Sequence, residues 1–238
     1  MDLQQILNDP PQIHRDESGQ PYFMGLLNEA LIFIDKHVNE DSVTLETGSG
    51  VSTVLFALKG THHTCIVPNK VETDRIKEYC REQGVSTDKI DFQVERSDLV
   101  LPSLVTQPLD LVLIDGSHAF PAPFIDWHYT YPRMKKGGLL VIDDTHVWTG
   151  SILKQFLLEE PEWTLEADFA PRTAVFIKLT EGDEWKEWYD QPYTVRNSNV
   201  ANAIDHPTDT KLHRAVGHLR RGELLTLIQK TVNNIKRL

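Results

Sequence analysis

Three aspartates follow two apolar segments of the chain. Asp115 ends the segment Leu109–Asp115, and Asp143, which ends Gly138–Asp143, is followed directly by Asp144. If both segments are strands of one parallel sheet, their carboxyl ends meet at one edge, where ligands bind. Three carboxylates suit a hard divalent cation better than zinc. The spacing therefore predicts a Mg²⁺ or Ca²⁺ site on these three aspartates, with helix capping and loop hydrogen bonds as the alternative.

Two histidines lie close to these carboxylates. His118 follows the first aspartate by three residues, and His146 follows the last by two. Histidine titrates near neutral pH, so either could act as a general base, and a structural or orienting role is equally open. An aromatic wall could lie beside them, formed by Trp127, His128, Tyr129, Tyr131 and Trp148. His62 and His63 come before the second predicted strand, at the opposite sheet edge, and are interpreted as surface residues.

A glycine-rich turn follows the first predicted strand. The segment 43–53, VTLETGSGVST, leads from this strand into a helix, and Gly48 and Gly50 allow a ligand to approach the backbone. Free N–H groups and the positive end of the helix favour a nucleotide-like ligand. The dinucleotide fingerprint GxGxxG has glycine where this chain has Thr53, so hydride-transfer enzymes are disfavoured. A tight turn of small residues without a ligand is the alternative.

Short apolar runs alternate with helix-compatible segments, which is typical of a parallel sheet covered by helices. The predicted strands are Ser42–Thr47, His63–Val67, Ile90–Val94, Leu109–Asp115 and Gly138–Asp143, followed by a hairpin of Trp163–Phe169 and Thr173–Lys178. The predicted helices are an amphipathic lead-in helix within 20–38, then Val51–Leu58, Val71–Gln83, a short helix after Asp98, and Phe120–Met134. Residues 181–210 have no sustained period and are predicted to be irregular, and a final amphipathic helix is predicted within 211–238.

Composition sets the class of protein. The 238 residues are 40% hydrophobic and 25% charged, which predicts one globular domain and excludes a disordered chain. The sequence has no run of roughly 18 apolar residues and no recognisable secretion signal. Two cysteines without a metal-binding spacing fit a reducing compartment, so a cytoplasmic protein is expected. The net charge of −11 disfavours a nucleic-acid partner, although residues 211–238 carry seven basic residues and one acidic residue.

Three motifs occur in an order that resembles one known family, the class I S-adenosylmethionine-dependent methyltransferases. They are ETGSGVST after the first strand, LVLIDGSHAF at the fourth and KKGGLLVIDDTH at the fifth. The resemblance extends from Ser42 to Lys178. It implies an α/β, Rossmann-like fold with a seven-stranded, mostly parallel sheet, an antiparallel last strand and helices on both faces. The implied domains are a helical lead-in (1–41), a methyltransferase core (42–180) and a C-terminal segment (181–238).

The resemblance also implies a set of residues that bind S-adenosylmethionine. These residues are Glu46, Gly48, Gly50, Ser52, Thr53, Asn69, Asp98 and Asp115. The first three surround the methionine part, and Asp98 accepts from the adenine amino group. The family normally ends its second strand with an acid that holds the ribose hydroxyls, but this chain has Val67 there, with Asn69 as a neutral substitute two residues later.

The implied reaction is methylation of a hydroxyl on a small molecule. In the catechol-type and macrolide-sugar O-methyltransferases, which the acidic pattern resembles, a metal holds the acceptor. Asp143 would then be catalytic as a ligand of Mg²⁺, and His146 or His118 would be the base if no metal takes part. Another enzyme class on the same fold and a non-catalytic scaffold are the rivals. The expected partners are a small-molecule acceptor and a second copy of the chain, with no nucleic acid and no membrane.

Overall fold

The structure of the chain is a computed structural model, which describes residues 1–22, 25–182 and 186–198. It divides into two compact units, Met1–Asp183 and Glu184–Leu238. The strands of the first unit are β1 (Val43–Thr47), β2 (His62–Ile66), β3 (Ile90–Gln93), β4 (Leu109–Ile114), β5 (Met134–Ile142), β6 (Trp163–Phe169) and β7 (Thr173–Lys178). Its helices are α1 (Leu3–Asn8), α2 (Asn28–His37), α3 (Val51–Lys59), α4 (Lys70–Glu82), α5 (Ser97–Val100), α6 (Ala122–Thr130) and α7 (Trp148–Glu159), with 3₁₀ turns at Leu101–Ser103 and Tyr131–Arg133.

One sheet contains all seven strands, in the order β3-β2-β1-β4-β5-β7-β6. The first five strands are parallel, and Thr47 at the end of β1 lies opposite Ile66 of β2 and Ile114 of β4. Strand β7 runs antiparallel to both of its neighbours. The predicted seven-stranded sheet with an antiparallel last strand is therefore confirmed. The strand order reverses between β1 and β4, and α/β sheets bind ligands at such a switch point.

Helices cover both faces of the sheet. In β4, Leu111 and Leu113 pack into one apolar cluster with residues of α1 to α4. The alternate residues Val112 and Ile114 are equally buried, and α6 packs on β4 and contacts α5 and α7. Full burial of each such side chain contributes about 1.5–3 kcal/mol, so the two apolar layers are the main source of stability. The predicted helical layers on both faces are confirmed.

The lead-in helix is shorter than predicted. Helix α2 begins at Asn28, not near residue 20. Upstream, the side chain of Asp16 accepts the backbone N–H groups of Ser18 and Gln20, and this local bonding competes with a helix. The sequence pattern also missed α1, a six-residue helix whose first turn is fixed by a capping box between Asp2 and Gln5.

The predicted helix Phe120–Met134 is also shorter in the structure. Helix α6 ends at Thr130, and a 3₁₀ turn at Tyr131–Arg133 leads into β5. Tyr131 keeps helical dihedral angles, but Pro132 has no backbone N–H and cannot donate the next hydrogen bond of the helix, which explains why the helix stops there. Strand β5 accordingly begins at Met134, four residues before the predicted start.

The described part of the second unit contains a 3₁₀ turn at Trp188–Asp190 and the helix α8 (Pro192–Asn197). The prediction of an irregular segment at 181–210 is therefore wrong at α8, where Pro192 occupies the first helical position that proline favours. The final amphipathic helix predicted within 211–238 lies outside the described residues. Among the residues described, no helix combines the length and apolar character needed to cross a bilayer.

Candidate active site

The turn after β1 presses closely on the end of β4. Gly48 has a φ of 92°, and a Cβ atom there would lie 2.1 Å from the carbonyl oxygen of Asp115. Only glycine satisfies both the positive φ and this contact. The turn then enters α3, whose residues Val51 and Ser52 face a cleft of about 960 Å³ at the carboxyl edge of the sheet.

Most residues predicted to form the site line this one cleft. They are Gly48, Gly50, Ser52, Asn69, Asp98, Asp115, His118, Asp144 and His146. Residues from five strand ends and the segments that follow them therefore converge on one space, as the motif order indicated. Three predicted site residues are not among the lining residues: Glu46, Thr53 and Asp143.

Glu46 lies beneath the glycine turn and does not face the cleft. It is 1% exposed, and its carboxylate accepts hydrogen bonds from the hydroxyls of Ser52 and Thr53. Nε2 of His63 lies 3.1 Å from the same carboxylate. The described contacts therefore give Glu46 the role of holding the first turn of α3 in place.

The interpretation of His63 as a surface residue is wrong. It is 2% exposed, its Nδ1 lies 2.8 Å from the hydroxyl of Thr44, and its ring stacks on Phe56 with a centroid distance of 4.2 Å. His63 is paired with Thr44 in the register of β1 and β2, and both side chains point inward. The alternation of HHTCI, with Cys65 also buried, was the signal that could have identified it.

Asp98 lies at the cleft beside Arg96. The guanidinium donates two hydrogen bonds to the carboxylate, from Nε to Oδ1 at 3.0 Å and from Nη2 to Oδ2 at 2.7 Å. These bonds lower the pKa of Asp98, so it is an ionised acceptor at neutral pH. An ionised acceptor suits the predicted contact with an amino group.

Asp144 is the centre of the acidic cluster. Its Oδ1 accepts from Nη2 of Arg172 at 2.7 Å, and its Oδ2 lies 2.9 Å from Nε2 of His118. Nδ1 of His146 is farther away, at 3.6 Å from Oδ1, and that imidazole is half exposed. The structure therefore separates the two candidate bases, because the ring nitrogen of His118 lies 2.9 Å from the Asp144 carboxylate and that of His146 lies 3.6 Å from it.

Asp143 lies near Asp144 but is not among the residues that line the cleft. Its carboxylate accepts hydrogen bonds from the hydroxyl of Thr173 and, at 3.4 Å, from Nη2 of Arg172. Arg172 was not predicted, because it comes from the turn of the β6–β7 hairpin and no local pattern marks it. Its guanidinium supplies positive charge to two of the three aspartates that were predicted to bind a cation.

Burial and mutual repulsion disfavour simultaneous ionisation of the three aspartates Asp115, Asp143 and Asp144. Burial, then the charges of Asp143 and Asp144, hold the pKa of Asp115 well above its usual value, and Arg172 offsets only part of the effect. Burial also raises the pKa of Asp143, although the hydrogen bond from Thr173 acts in the opposite direction. Burial and the neighbouring negative charges therefore favour the protonated form of Asp115 more than they would for an exposed aspartate.

Among the described residues, the ligand atoms of Asp115, Asp143 and Asp144, the three predicted Mg²⁺ ligands, do not form one close group. The group whose ligand atoms lie within 4.8 Å of one another is Asp115, His118 and Asp144. This donor set contains an imidazole nitrogen, which suits a transition metal better than Mg²⁺. Because Arg172 also donates to Asp144, the arrangement does not fit a site built for Mg²⁺.

The predicted aromatic wall is also different. Trp127 stacks on Tyr131 and packs edge-on against Phe156 of α7, so it belongs to the packing between helices. The exposed pair is instead Phe120, which lines the cleft, and Trp148, with ring centroids 6.1 Å apart. Both side chains are more than 60% exposed.

Comparison with known proteins gives one family match and many structural matches. Residues 45–145 match a family model described as a methyltransferase domain. No curated protein sequence matches the chain. Many solved structures share the fold.

Three of these structures illustrate the kinds of protein that share the fold. Cofactor-bound Rv0187 from MTB is 17% identical with a TM-score of 0.57, covering 66% of this chain and 83% of its own. The O-methyltransferase TomG from Streptomyces achromogenes, in complex with SAM, is 15% identical with a TM-score of 0.58. The match covers 74% of this chain and 90% of TomG. An rRNA methylase from Streptococcus thermophilus is 11% identical with a TM-score of 0.53, covering 67% and 99%. Residues 45–145 therefore match a methyltransferase domain, and the fold is that of the class I S-adenosylmethionine-dependent methyltransferases, the family that the motifs resemble.

Proposed function

We propose that this protein transfers the methyl group of S-adenosylmethionine to a hydroxyl of a small molecule. The observation that carries the proposal is the His118–Asp144 pair, which lies in the same cleft as the glycine turn. TomG, an O-methyltransferase in complex with SAM, supports S-adenosylmethionine as the methyl donor and an oxygen as the acceptor. The two buried free thiols, Cys65 and Cys80, support action in a reducing compartment such as the cytoplasm.

The reaction needs alignment and removal of a proton. The bound cofactor would supply a methyl group on a sulfonium, from which the neutral thioether S-adenosylhomocysteine leaves readily, so the protein must mainly hold the acceptor oxygen in line with the methyl group. In the proposed mechanism Nε2–H of His118 donates to Asp144, which leaves Nδ1 to take the hydroxyl proton. Asp144 then stabilises the imidazolium, and Arg172 fixes the orientation of Asp144.

The acceptor is proposed to carry an apolar or planar part. Phe120 and Trp148 are exposed, and Phe120 lies at the cleft two residues after His118. Exposed aromatic rings at a cleft favour contact with flat apolar groups. The overall charge of −11 disfavours a polynucleotide, which would need a positive surface.

The proposal is tested by a methyl-transfer assay. Purified protein is incubated with isotopically labelled S-adenosylmethionine and a panel of hydroxylated small molecules, and the His118→Gln and His146→Gln variants are compared on any acceptor found. Removal of the general base should lower kcat by about 10²- to 10⁴-fold in His118→Gln, whereas His146→Gln should stay within a few-fold of wild type. Equal rates in wild type and His118→Gln would refute the mechanism, and absence of cofactor binding by wild type would favour a scaffold.

A further inference from the structure

Glu72 brings a carboxylate to the cleft near the end of the second strand, which itself provides no acid. Strand β2 is followed by Val67, which is 4% exposed and cannot accept a hydrogen bond. Five residues later, Glu72 in the first turn of α4 lines the cleft. Its side chain is 18% exposed, so it is neither a solvated surface group nor sealed in the core.

The contacts of Glu72 fix where its carboxylate lies. Oε1 accepts from the side-chain amide of Asn69 at 2.9 Å, just after β2, and Oε2 accepts from the hydroxyl of Ser49 in the glycine turn at 3.3 Å. The carboxylate therefore bridges the glycine turn and the end of β2. Because the bond to Ser49 is long, Oε2 keeps capacity for a further donor.

Asn69, the predicted neutral substitute, already has partners for its side-chain oxygen and for its amide nitrogen. Its side-chain oxygen caps α4 by accepting the N–H groups of Val71 and Glu72, and its nitrogen donates to Glu72. The described contacts therefore make Asn69 a support for Glu72.

Glu72 is held in its charged form. Burial by itself raises the pKa of this carboxyl, but hydrogen bonds from His14, Ser49 and Asn69 outweigh burial and lower the pKa overall. Nδ1 of His14 lies 3.5 Å from Oε1. An ionised carboxylate accepts stronger hydrogen bonds than a neutral group does.

We propose that Glu72 accepts a hydrogen bond from a ribose hydroxyl of the bound cofactor, in place of the acid that is absent at Val67. This inference rests on the proposed function. In nucleotide-binding α/β folds an acid about 20 residues after the glycine-rich turn holds the ribose, and Glu72 follows Gly50 by 22 residues. Here the acid comes from the helix after the second strand instead of the strand end.

The test is a calorimetric titration with two ligands, S-adenosylhomocysteine and its 2′,3′-dideoxy analogue. Three proteins are titrated: wild type, Glu72→Gln and the matched control Glu82→Gln. Glu82 is an exposed residue on the same helix as Glu72. Loss of a charge-assisted hydrogen bond should weaken S-adenosylhomocysteine binding about 10- to 100-fold in Glu72→Gln. The control should bind as wild type does, and the dideoxy analogue should bind equally to all three proteins.

A rescue experiment separates ribose binding from support of the turn. Val67→Asp added to Glu72→Gln should recover most of the lost affinity, because it returns a carboxylate to the strand end. Equal losses for both ligands would show that Glu72 only holds the glycine turn, and no loss for either would also overturn the inference. If wild type binds neither ligand, the proposed function is refuted. If wild type binds S-adenosylhomocysteine and Glu72→Gln binds it equally well, only the inference about Glu72 is refuted.

Discussion

At the residue scale, each carboxylate oxygen of Asp144 has its own partner. Oδ1 accepts from Arg172 and Oδ2 contacts His118, while the backbone is held at a φ of 50°. A left-handed backbone at a residue other than glycine costs energy and often marks a functional position. Asp144 is therefore placed to orient an imidazole.

The first prediction concerns this orientation. Asp144→Asn keeps the size of the side chain but loses the charge that stabilises the imidazolium, so kcat should fall by about 10²- to 10⁴-fold. Because Asp144 orients the base, binding of S-adenosylhomocysteine should change little. Steady-state rates and calorimetric affinities measured on the same preparation check both expectations. A loss of affinity with an unchanged kcat would assign Asp144 to the cofactor instead.

The second prediction concerns metal ions. The proposed base needs no cation, and Arg172 already supplies positive charge to Asp143 and Asp144. Methyl transfer should therefore keep its rate in excess chelator. If chelator abolished activity and Mn²⁺ restored it, the histidine-carboxylate mechanism would give way to a metal held by Asp115, His118 and Asp144.

Sequence reasoning identified the site residues that follow strand ends. Asp115, His118 and Asp144 were predictable because the carboxyl ends of parallel strands share one edge. Arg172 and Glu72 were not, because a hairpin turn and a helix bring them to that edge through packing between distant segments. Their partners are visible only in three dimensions.

At the element scale, the glycine turn and β4 are in van der Waals contact through Gly48. Gly48→Ala should destabilise the fold by about 3 kcal/mol or more, because the new Cβ meets the Asp115 carbonyl and the φ is unfavourable. Gly137→Ala is the matched control, since Gly137 has a φ of 81° with nothing within 4 Å of its Cβ, and it should cost only about 1–2 kcal/mol. Urea unfolding of both variants measures the difference. Equal costs would mean that the turn can move away from β4.

Helix α6 contains a buried carboxyl with an energetic cost. Asp126 is fully buried, and among the described residues neither of its oxygens has a hydrogen-bond partner. Burial raises its pKa above the usual 3.8, and the nearby hydroxyls of Ser97 and Thr47 offset part of the rise. The folded protein therefore holds this proton more tightly than the unfolded chain does, so Asp126 lowers stability as pH rises above about 4.

Asp126→Asn should remove this pH dependence. The variant should be more stable than wild type by about 1–3 kcal/mol at pH 8, because an ionised, unpaired carboxyl is replaced by a neutral amide. At pH 4 the two proteins should differ little, since Asp126 then carries its proton when folded. Unfolding curves at the two pH values provide the measurement, and a pH-independent difference would show that charge is not the cause.

The elements themselves were predictable to different degrees. The strands were found because buried runs such as Leu109–Ile114 are apolar and bounded by turn residues. Helix α1 was missed because its signal is one capping box in six residues. Strand β5 begins with the buried Met134, but the exposed residues Lys135 and Lys136 follow it at an irregularity in the pairing with β4 and interrupt the apolar pattern.

At the scale of the whole molecule, basic and acidic residues are distributed unevenly along the chain. Residues 211–238 carry a net charge of +6, which leaves −17 for residues 1–210. The apolar stripe of this basic segment is Leu224, Leu225, Ile228, Val232 and Ile235. A basic amphipathic sequence in a chain whose other residues are acidic overall favours packing on protein, and we propose that it contributes to a homodimer.

Light scattering tests the dimer directly. The full-length chain should have twice the mass of one copy, and a version ending at Thr210 should be monomeric and still folded by circular dichroism. A full-length monomer would refute the proposed homodimer.

The division of the chain at 180/181 lies close to the observed boundary after Asp183, and it remains a prediction about domain function.

The central claim is that the cleft at the carboxyl edge of the sheet binds S-adenosylmethionine. Calorimetric titration of wild type and Gly50→Leu with S-adenosylhomocysteine tests it most directly, because Gly50 lines the cleft in the turn before α3. We expect saturable binding of one ligand per chain to wild type, displaced by S-adenosylmethionine, and no binding to a folded Gly50→Leu. Absence of heat and of any thermal shift with wild type at millimolar ligand, or undiminished binding by Gly50→Leu, would contradict the account.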